Sequence, residues 1–336
     1  MKQKKIHLVV FSVALATLLA LAAFAAKTGH GQSAAVQKAS TTEASPQSGL
    51  QPTAAIRERR AESAEAAPAP AEAAPAEAAS PAAAIFSAAA TRNSALRLEL
   101  DWTFGGKQQH GWYIYEPLIS RLIGTEKDSA TGDFASALAR WQKTSTLQPN
   151  GVLDEQTIYQ MVSAWQGARL KDKAYARPDQ LMVAPTSDFY DTSRPEQLRQ
   201  VEHETYAAYK RLVAAAVADP SLNLKHTASG ELAPEERFLK IVSAFRPREY
   251  QEQLRRQSPN SGRAGLAVNS PHFTGRALDL YVGGEPVETK DANRAVQVQT
   301  NVYRWLVRNA DRFGFRPYYY EPWHWEYVGT SATAAK

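Results

Sequence analysis

The sequence contains no cysteine among its 336 residues, and this absence limits the chemistry that the chain can perform. Disulfide bonds, thiolate metal ligands and cysteine nucleophiles are all excluded. Any metal site must therefore be built from histidine, aspartate or glutamate. Long blocks of lysine and arginine are also lacking after the first five residues, so we expect no nucleic-acid partner. The mild formal charge of +5 instead favours an anionic setting such as a membrane surface or an acidic polymer.

Charged residues are absent from the apolar run between Ile6 and Ala26, which follows three lysines. A basic stretch before such a run is typical of an export signal. We predict that residues 1–26 are a signal peptide or an uncleaved membrane anchor. The motif Ala23-Phe24-Ala25 fits cleavage, whereas the length of the run is close to the roughly 20 residues that span a bilayer. Either outcome places the protein in the cell envelope, outside the cytoplasm.

Large apolar side chains are scarce in residues 27–95, which consist mainly of alanine, proline, glutamate, glutamine and serine. Such a segment buries too little apolar surface to offset the conformational entropy that it would lose on folding. We predict a disordered Ala/Pro-rich linker here and expect folded sequence to begin near Leu96.

Residues 96–170 show helical spacing of apolar side chains. Phe134 and Leu138 recur at intervals typical of one helix face, and the turn signal Asn150-Gly151 precedes Asp154, which is suited to capping the next helix. The spacing predicts two helical patterns around a turn.

This helical segment resembles the three-helix peptidoglycan-binding domain that accompanies many cell-wall hydrolases. The resemblance is carried by Trp141-Gln142, Asn150-Gly151 and Thr157. It implies that residues 96–170 bind peptidoglycan. Each of these features also serves packing or turn formation, so a helical spacer without a ligand remains the alternative.

The remainder of the chain is predicted to be a linker, residues 171–190, followed by an α+β domain, residues 191–330. A long helix should begin near Pro195 and include Leu198 and Val201, and a second should run from Ala292 to Phe313. Short strands are predicted in the segments FLKIVSAF, RALDLYV and PWHWEYV. Helices and strands without regular alternation favour a small antiparallel sheet flanked by helices.

The strand RALDLYV carries a carboxylate, Asp279, among apolar residues. A buried carboxylate must be paired, hydrogen-bonded or bound to a metal, because an isolated buried charge is too costly. His272 lies in the preceding loop, where Gly275 permits a sharp turn that could bring the imidazole to face Asp279.

The strand PWHWEYV supplies a second histidine. Proline is disfavoured in a central strand position, so we expect the strand to begin at Pro322, with Glu321 at its mouth and His324 inside. His272, Asp279 and His324 would provide three ligands, which is the number that a catalytic zinc keeps when water fills its fourth position. Glu321 would then be free to act as a base.

These stretches resemble the zinc D-alanyl-D-alanine carboxypeptidase family, the VanY-like group, over residues 190 to 330. Three signatures carry the resemblance: S-x-H-x-x-G-x-A-x-D, E-x-x-H with tryptophan before the histidine, and an upstream S-x-x-R followed by glutamine. They are matched by Ser270, His272, Gly275, Ala277 and Asp279, by Glu321, Trp323 and His324, and by Ser243, Arg246 and Gln251.

The resemblance implies a role for each matched residue. His272, Asp279 and His324 would bind Zn²⁺, and Glu321 would be the catalytic base. The substrate side would be formed by Arg246, Ser270, Gln251 and Trp323. Two departures from the family pattern, Ala244-Phe245 in place of Gly-Tyr and Pro247 after the arginine, leave Arg246 in place and imply a different substrate pocket around it.

The sequence therefore predicts a metallopeptidase that removes the terminal D-alanine from peptidoglycan stem peptides. Two alternatives remain open: an endopeptidase that uses the same zinc chemistry, and a non-catalytic wall-binding protein. The sequence gives no indication of the oligomeric state.

Overall fold

The computed structural model describes residues 85–257 and 267–329. The predicted export segment and most of the predicted linker lie outside these residues. Within the described ranges, no helix is both long and apolar enough to cross a bilayer. All the described residues belong to one compact unit, Ala73–Lys336.

The helices and strands are numbered here in chain order. The helices are α1 Ser87–Glu99, α2 Glu116–Ile123, α3 Gly132–Thr144, α4 Glu155–Ala168, α5 His203–Val217, α6 Arg248–Gln257, α7 Asp291–Gln299 and α8 Asn301–Asn309. The strands are β1 Asp101–Phe104, β2 Lys107–His110, β3 Leu181–Val183, β4 Gln200–Glu202, β5 Ile241–Ser243, β6 Ala277–Leu280, β7 Phe315–Tyr318 and β8 Glu321–Tyr327.

The α+β fold predicted from the sequence is confirmed. Strands β5, β6, β8 and β7 form an antiparallel sheet in that spatial order, and β1–β2 and β3–β4 are separate two-stranded pairs. Strand β8 begins at Glu321, one residue earlier than the predicted start at Pro322. Pro322 is tolerated inside β8 because the residues of β8 that pair with β6 are 324–326, beyond the proline.

The folded part of the chain begins earlier than residue 96, where we expected it, because α1 occupies Ser87–Glu99. Asn93 explains why this alanine-rich segment is ordered. Its buried side chain donates to the carbonyl oxygen of Gly151 at 2.9 Å and accepts from the amide of Leu153 at 2.8 Å. Two hydrogen bonds to a distant loop thus fix the helix, a contact that local composition does not reveal.

Of the motif residues of the helical segment, Gln142 and Thr157 are buried, whereas Trp141 is half-buried and Asn150 is exposed. The Gln142 side chain donates to the carbonyl oxygen of Val152 at 2.9 Å and to Thr157 at 3.1 Å, and it accepts from the amide of Gly151 at 2.9 Å. These contacts close the turn before α4. The features that suggested wall binding therefore have a structural use in this chain.

Two helix predictions were wrong in their extent. The helix expected from Pro195 starts at His203, because Val201 lies in β4, paired with Met182, and the Glu202 side chain caps α5 by accepting from the amide of Thr205 at 2.8 Å. The segment from 171 to 190, predicted as a linker, thus contributes β3 to the same domain.

The helix expected over 292–313 is broken at Thr300 into α7 and α8. Thr300 is extended, with φ −67° and ψ 145°, and its hydroxyl accepts from the amide of Tyr303 at 3.1 Å while donating to the carbonyl oxygen of Val282 at 2.9 Å. The apolar pattern continues across the break, whereas the capping threonine ends one helix and starts the next.

The apolar core is continuous from the helical segment into the sheet. Tyr319, beside β7, packs against Phe104 and Tyr115 with ring centroids 5.6 and 5.7 Å apart, and Tyr115 accepts a hydrogen bond from Arg294 of α7 at 2.7 Å. One cluster of buried side chains includes Trp102 of β1 and Trp325 of β8. The helical segment and the sheet therefore stabilise each other.

Candidate metal centre

Three neighbouring strands place polar side chains in one row across the sheet. Ser243 of β5 pairs with Asp279 of β6, and Asp279 pairs with His324 of β8. Directly paired residues project from the same face of a sheet, so the register alone brings these side chains together. A shift of one residue would turn Asp279 to the opposite face.

His272 reaches the row from a short helical turn, Pro271–Thr274, that precedes β6. Gly275 ends this turn in the left-handed region at φ +68°, which favours glycine. The Ser270 side chain caps the start of the turn by accepting from the amide of His272 at 3.3 Å. Ser270, predicted on the substrate side, therefore positions the histidine loop in this structure.

The structure brings His272, Asp279 and His324 together in a buried cluster. The Asp279 Oδ1 atom lies 3.3 Å from His272 Nε2 and 2.9 Å from His324 Nδ1. One ligand atom from each of the three residues lies within 4.8 Å of the others. Two imidazole nitrogens and one carboxylate oxygen form a donor set suited to a divalent transition metal such as zinc.

In each histidine, the ring nitrogen that faces away from Asp279, here called the outer nitrogen, also has a hydrogen-bond partner. Such partners are usual for histidines that bind metals. His272 Nδ1 lies 2.6 Å from the carbonyl oxygen of Ala244, and His324 Nε2 lies 3.2 Å from Glu326 Oε1. These partners can hold a proton on each nitrogen that faces away from Asp279, which would leave the nitrogens that face Asp279 available as ligands when a metal is bound. The residues present therefore fit a bound metal.

Electrostatics keep the aspartate charged. Burial would raise the pKa of Asp279, but His272 and Arg246 hold it well below its usual range. Burial lowers the pKa of His272 to about 4, so this ring is neutral. Burial would also lower the pKa of His324, but its hydrogen bonds with Asp279 and Glu326 raise it to about 9.

Glu321 is buried, with 5% of its surface exposed, at the start of β8. Its Oε1 atom has no hydrogen-bond partner among the described residues. Burial, helped by the charge of Asp279, raises the pKa of Glu321 to about 7. A carboxyl group with such a pKa can both accept and return a proton near neutral pH.

Arg246 lies beside the cluster with its guanidinium mostly buried. Its Nη2 atom donates to Asp279 Oδ2 at 2.5 Å and its Nε atom donates to Ser243 at 2.9 Å. Gln251 accepts from Nη1 at 3.5 Å and also donates to the carbonyl oxygen of Ala267 at 3.1 Å. Gln251 thus supports the arginine, and Trp323 is a buried part of the core at this end of β8.

Two residues near the site were missed by the sequence analysis, Glu326 and Arg169. Glu326 is fully buried and contacts His324, and Arg169 pairs with Glu326. The position of Glu326, two residues after a candidate ligand on the same strand face, was a usable signal. Arg169 offered none, because it lies 157 positions away along the chain.

Fold and site together define an α+β domain with a buried histidine–aspartate–histidine cluster and a nearby buried carboxyl group, that of Glu321. Residues 198–330 match the family model described as "VanY: D-alanyl-D-alanine carboxypeptidase". This segment is thus a VanY-like carboxypeptidase domain, which confirms the resemblance seen in the sequence motifs.

Comparison with curated proteins found no match. Among solved structures, the chain is similar to one titled "Structure of the LdcB LD-carboxypeptidase reveals the molecular basis of peptidoglycan recognition". The sequences are 25% identical, the TM-score is 0.33, and the match covers 48% of this chain and 73% of that chain.

Proposed function

We propose that the protein is a zinc-dependent D,D-carboxypeptidase that hydrolyses the terminal D-Ala-D-Ala bond of peptidoglycan stem peptides. The observation that carries the proposal is the convergence of His272, Asp279 and His324 near Glu321, whose Oε1 atom has no hydrogen-bond partner among the described residues. The match of residues 198–330 to a carboxypeptidase family supports the choice of reaction.

The proposed zinc ligands are His272, Asp279 and His324. Zinc bound by three protein ligands lowers the pKa of a bound water from about 15.7 to about 7 and polarises a scissile carbonyl group. The outer contacts to Ala244 and Glu326 orient the two imidazoles for this purpose.

The other residues of the site would handle protons and substrate charge. Glu321 would take the proton of the attacking water and return it to the leaving amine, a role suited to a buried carboxyl group whose Oε1 atom has no partner among the described residues. Arg246 fixes a positive charge beside the cluster, and we propose that it attracts the terminal carboxylate of the substrate. Its contacts with Ser243 and Gln251 hold it in place. We assign Trp323 to the wall of the substrate pocket.

We further propose that residues 1–26 direct the protein to the cell envelope, where its peptidoglycan substrate lies, as an export signal or membrane anchor. Wall binding by the helical segment stays a separate proposal, tested by pull-down with purified peptidoglycan.

The reaction is tested by incubating the full-length protein with defined muropeptides and identifying the products by mass spectrometry. We expect loss of one alanine, abolished by a chelator and reduced about 10²- to 10⁴-fold by Glu321→Ala, the range expected for a lost general base. The Glu235→Ala variant removes an exposed glutamate and serves as a control.

Other products would change the assignment. Release of larger fragments would identify an endopeptidase with the same zinc chemistry. Retained wall affinity without turnover would identify a wall-binding protein and overturn the proposed activity.

A further inference from the structure

Glu326 is fully buried, and its carboxylate has hydrogen-bond partners on two sides. On one side its Oε1 atom lies 3.2 Å from His324 Nε2. On the other side it accepts from Arg169 Nε at 3.1 Å, and its Oε2 atom accepts from the amide of Leu170 at 2.9 Å. The carboxylate thus connects a proposed metal ligand to the segment that follows α4.

Arg169 is itself held in place by several contacts. Its Nη1 atom donates to Gln166 at 2.8 Å, and its guanidinium carbon lies 3.9 Å from the centre of the Tyr318 ring. The side chain is 16% exposed. A planar guanidinium held by the Tyr318 ring and by Gln166 presents its donors to Glu326 with little further loss of rotamer freedom.

The positions of these residues along the chain are informative. Glu326 belongs to the VanY-like segment, residues 198–330, whereas Arg169 and Leu170 lie outside it, at the end of the helical segment. A carboxylate buried beside a histidine needs further donors, since an incompletely paired buried charge is costly. In this chain the helical segment supplies those donors.

We propose that Glu326 and Arg169 are positioning residues for the metal ligand His324, and that the helical segment thereby completes the metal centre of the carboxypeptidase domain. This inference rests on the proposed function, because it assumes that His272, Asp279 and His324 bind zinc or a similar metal. Glu326 would keep the proton of metal-bound His324 on Nε2 and so leave Nδ1 to bind the metal, and Arg169 with the Leu170 amide holds the carboxylate in position.

Metal affinity of the full-length protein tests this inference without reference to catalysis. We expect Glu326→Gln and Arg169→Gln to weaken zinc binding by about 10- to 100-fold, the usual effect of removing such an outer partner. Affinity is measured by competition with a chromophoric chelator. The visible spectrum of the cobalt-substituted protein should also shift in both variants, because the imidazole of His324 changes its orientation and basicity.

Two further variants separate positioning from general stability. Arg121 also joins the helical segment to the rest of the unit, through an ion pair with Asp311 at 3.0 Å, but it contacts no proposed ligand. Arg121→Gln should therefore leave zinc affinity and the cobalt spectrum unchanged. Arg169→Lys should restore part of the affinity, because an ammonium group can still pair with Glu326. If Glu326→Gln fails to fold, the two Arg169 variants decide the result, since both keep the carboxylate.

The outcomes distinguish this inference from the proposed function. Folded Glu326→Gln and Arg169→Gln variants with unchanged zinc affinity would overturn the inference and leave the proposed activity standing. An equal loss in Arg121→Gln would also overturn it, because the effect would then be one of stability. Tight zinc binding without muropeptide hydrolysis would overturn only the proposed function, and no zinc binding by the unchanged protein would overturn both.

Discussion

At the scale of single residues, Glu321 combines deep burial with a carboxyl oxygen that has no partner among the described residues. Burial of this kind penalises the charged form, so the pKa of Glu321 rises from its ordinary value of 4.5 to about 7. Ionisation of Glu321 in the folded protein therefore lowers the free energy of unfolding. A group kept in such a position is a candidate for a functional role.

This cost predicts a pH-dependent effect of Glu321→Gln in the metal-stripped protein. The raised pKa means that the favourable contribution of neutral Glu321 is complete below about pH 4.5 and is lost as pH rises through about 7. Glutamine stays neutral, so the variant should gain stability over the unchanged protein across this window, by an amount on the order of 3 kcal/mol above pH 7. Urea unfolding at a series of pH values measures it. A stability difference that does not change with pH would show that Glu321 is not held in its neutral form.

Sequence reasoning could find the candidate site at this scale because its residues follow short motifs. His272 lies in a short turn and Asp279 in the strand that follows it, and the alternation of side chains along β8 predicts which face His324 occupies. The Arg169–Glu326 pair could not be found, since its members meet only through the packing of the helical segment against the sheet.

At the scale of secondary-structure elements, the turn Pro271–Thr274 depends on Gly275. A Cβ atom added there would lie 2.7 Å from Leu181 Cδ2 and 3.0 Å from the amide nitrogen of Glu202. The same glycine accepts a hydrogen bond from Glu202 at 3.1 Å through its carbonyl oxygen. Strands β3 and β4 therefore pack directly on the backbone that delivers His272.

We predict that Gly275→Ala weakens both folding and zinc binding. Forcing alanine into the left-handed region costs about 1–2 kcal/mol, and the overlap with Glu202 adds to this cost and displaces the turn. Gly230→Ala is a matched control, because Gly230 has a similar φ of +77° but open space around the added atom. Denaturant unfolding and chelator competition are compared for the two variants. Equal effects on zinc affinity would rule out the steric argument.

Helix boundaries show the limit of sequence reasoning for elements. The apolar periodicity that predicted a helix from Pro195 correctly indicates that Val201 is buried, but Val201 lies in strand β4. The helix begins only at His203, where Glu202 caps it. Thr300 likewise interrupts a continuous pattern by accepting from a local amide. The periodicity of apolar residues indicates which residues are buried. The start of a helix depends instead on a side chain that accepts hydrogen bonds from the first backbone N–H groups, and periodicity does not reveal this.

At the scale of the whole molecule, the helical segment and the carboxypeptidase domain share one core. The family match begins at residue 198, yet Phe104 and Tyr115 pack against Tyr319 inside the matched segment. Composition could suggest two domains because the linker between them is polar. It could not reveal that apolar faces on both sides of the linker would be buried against each other.

We predict that residues 171–336 alone do not retain the stability of the whole chain. Removing the helical segment exposes the Tyr319 ring and leaves Arg294 and Glu326 without Tyr115 and Arg169, their partners. Each large apolar side chain returned to water costs about 1.5–3 kcal/mol, so several together should lower Tm by more than about 10 °C or abolish the cooperative transition. Thermal unfolding of the fragment and of residues 73–336 measures the difference. An unchanged Tm would mean that the two parts are independent domains, and unchanged zinc affinity in the fragment would show that the centre is complete without the helical segment.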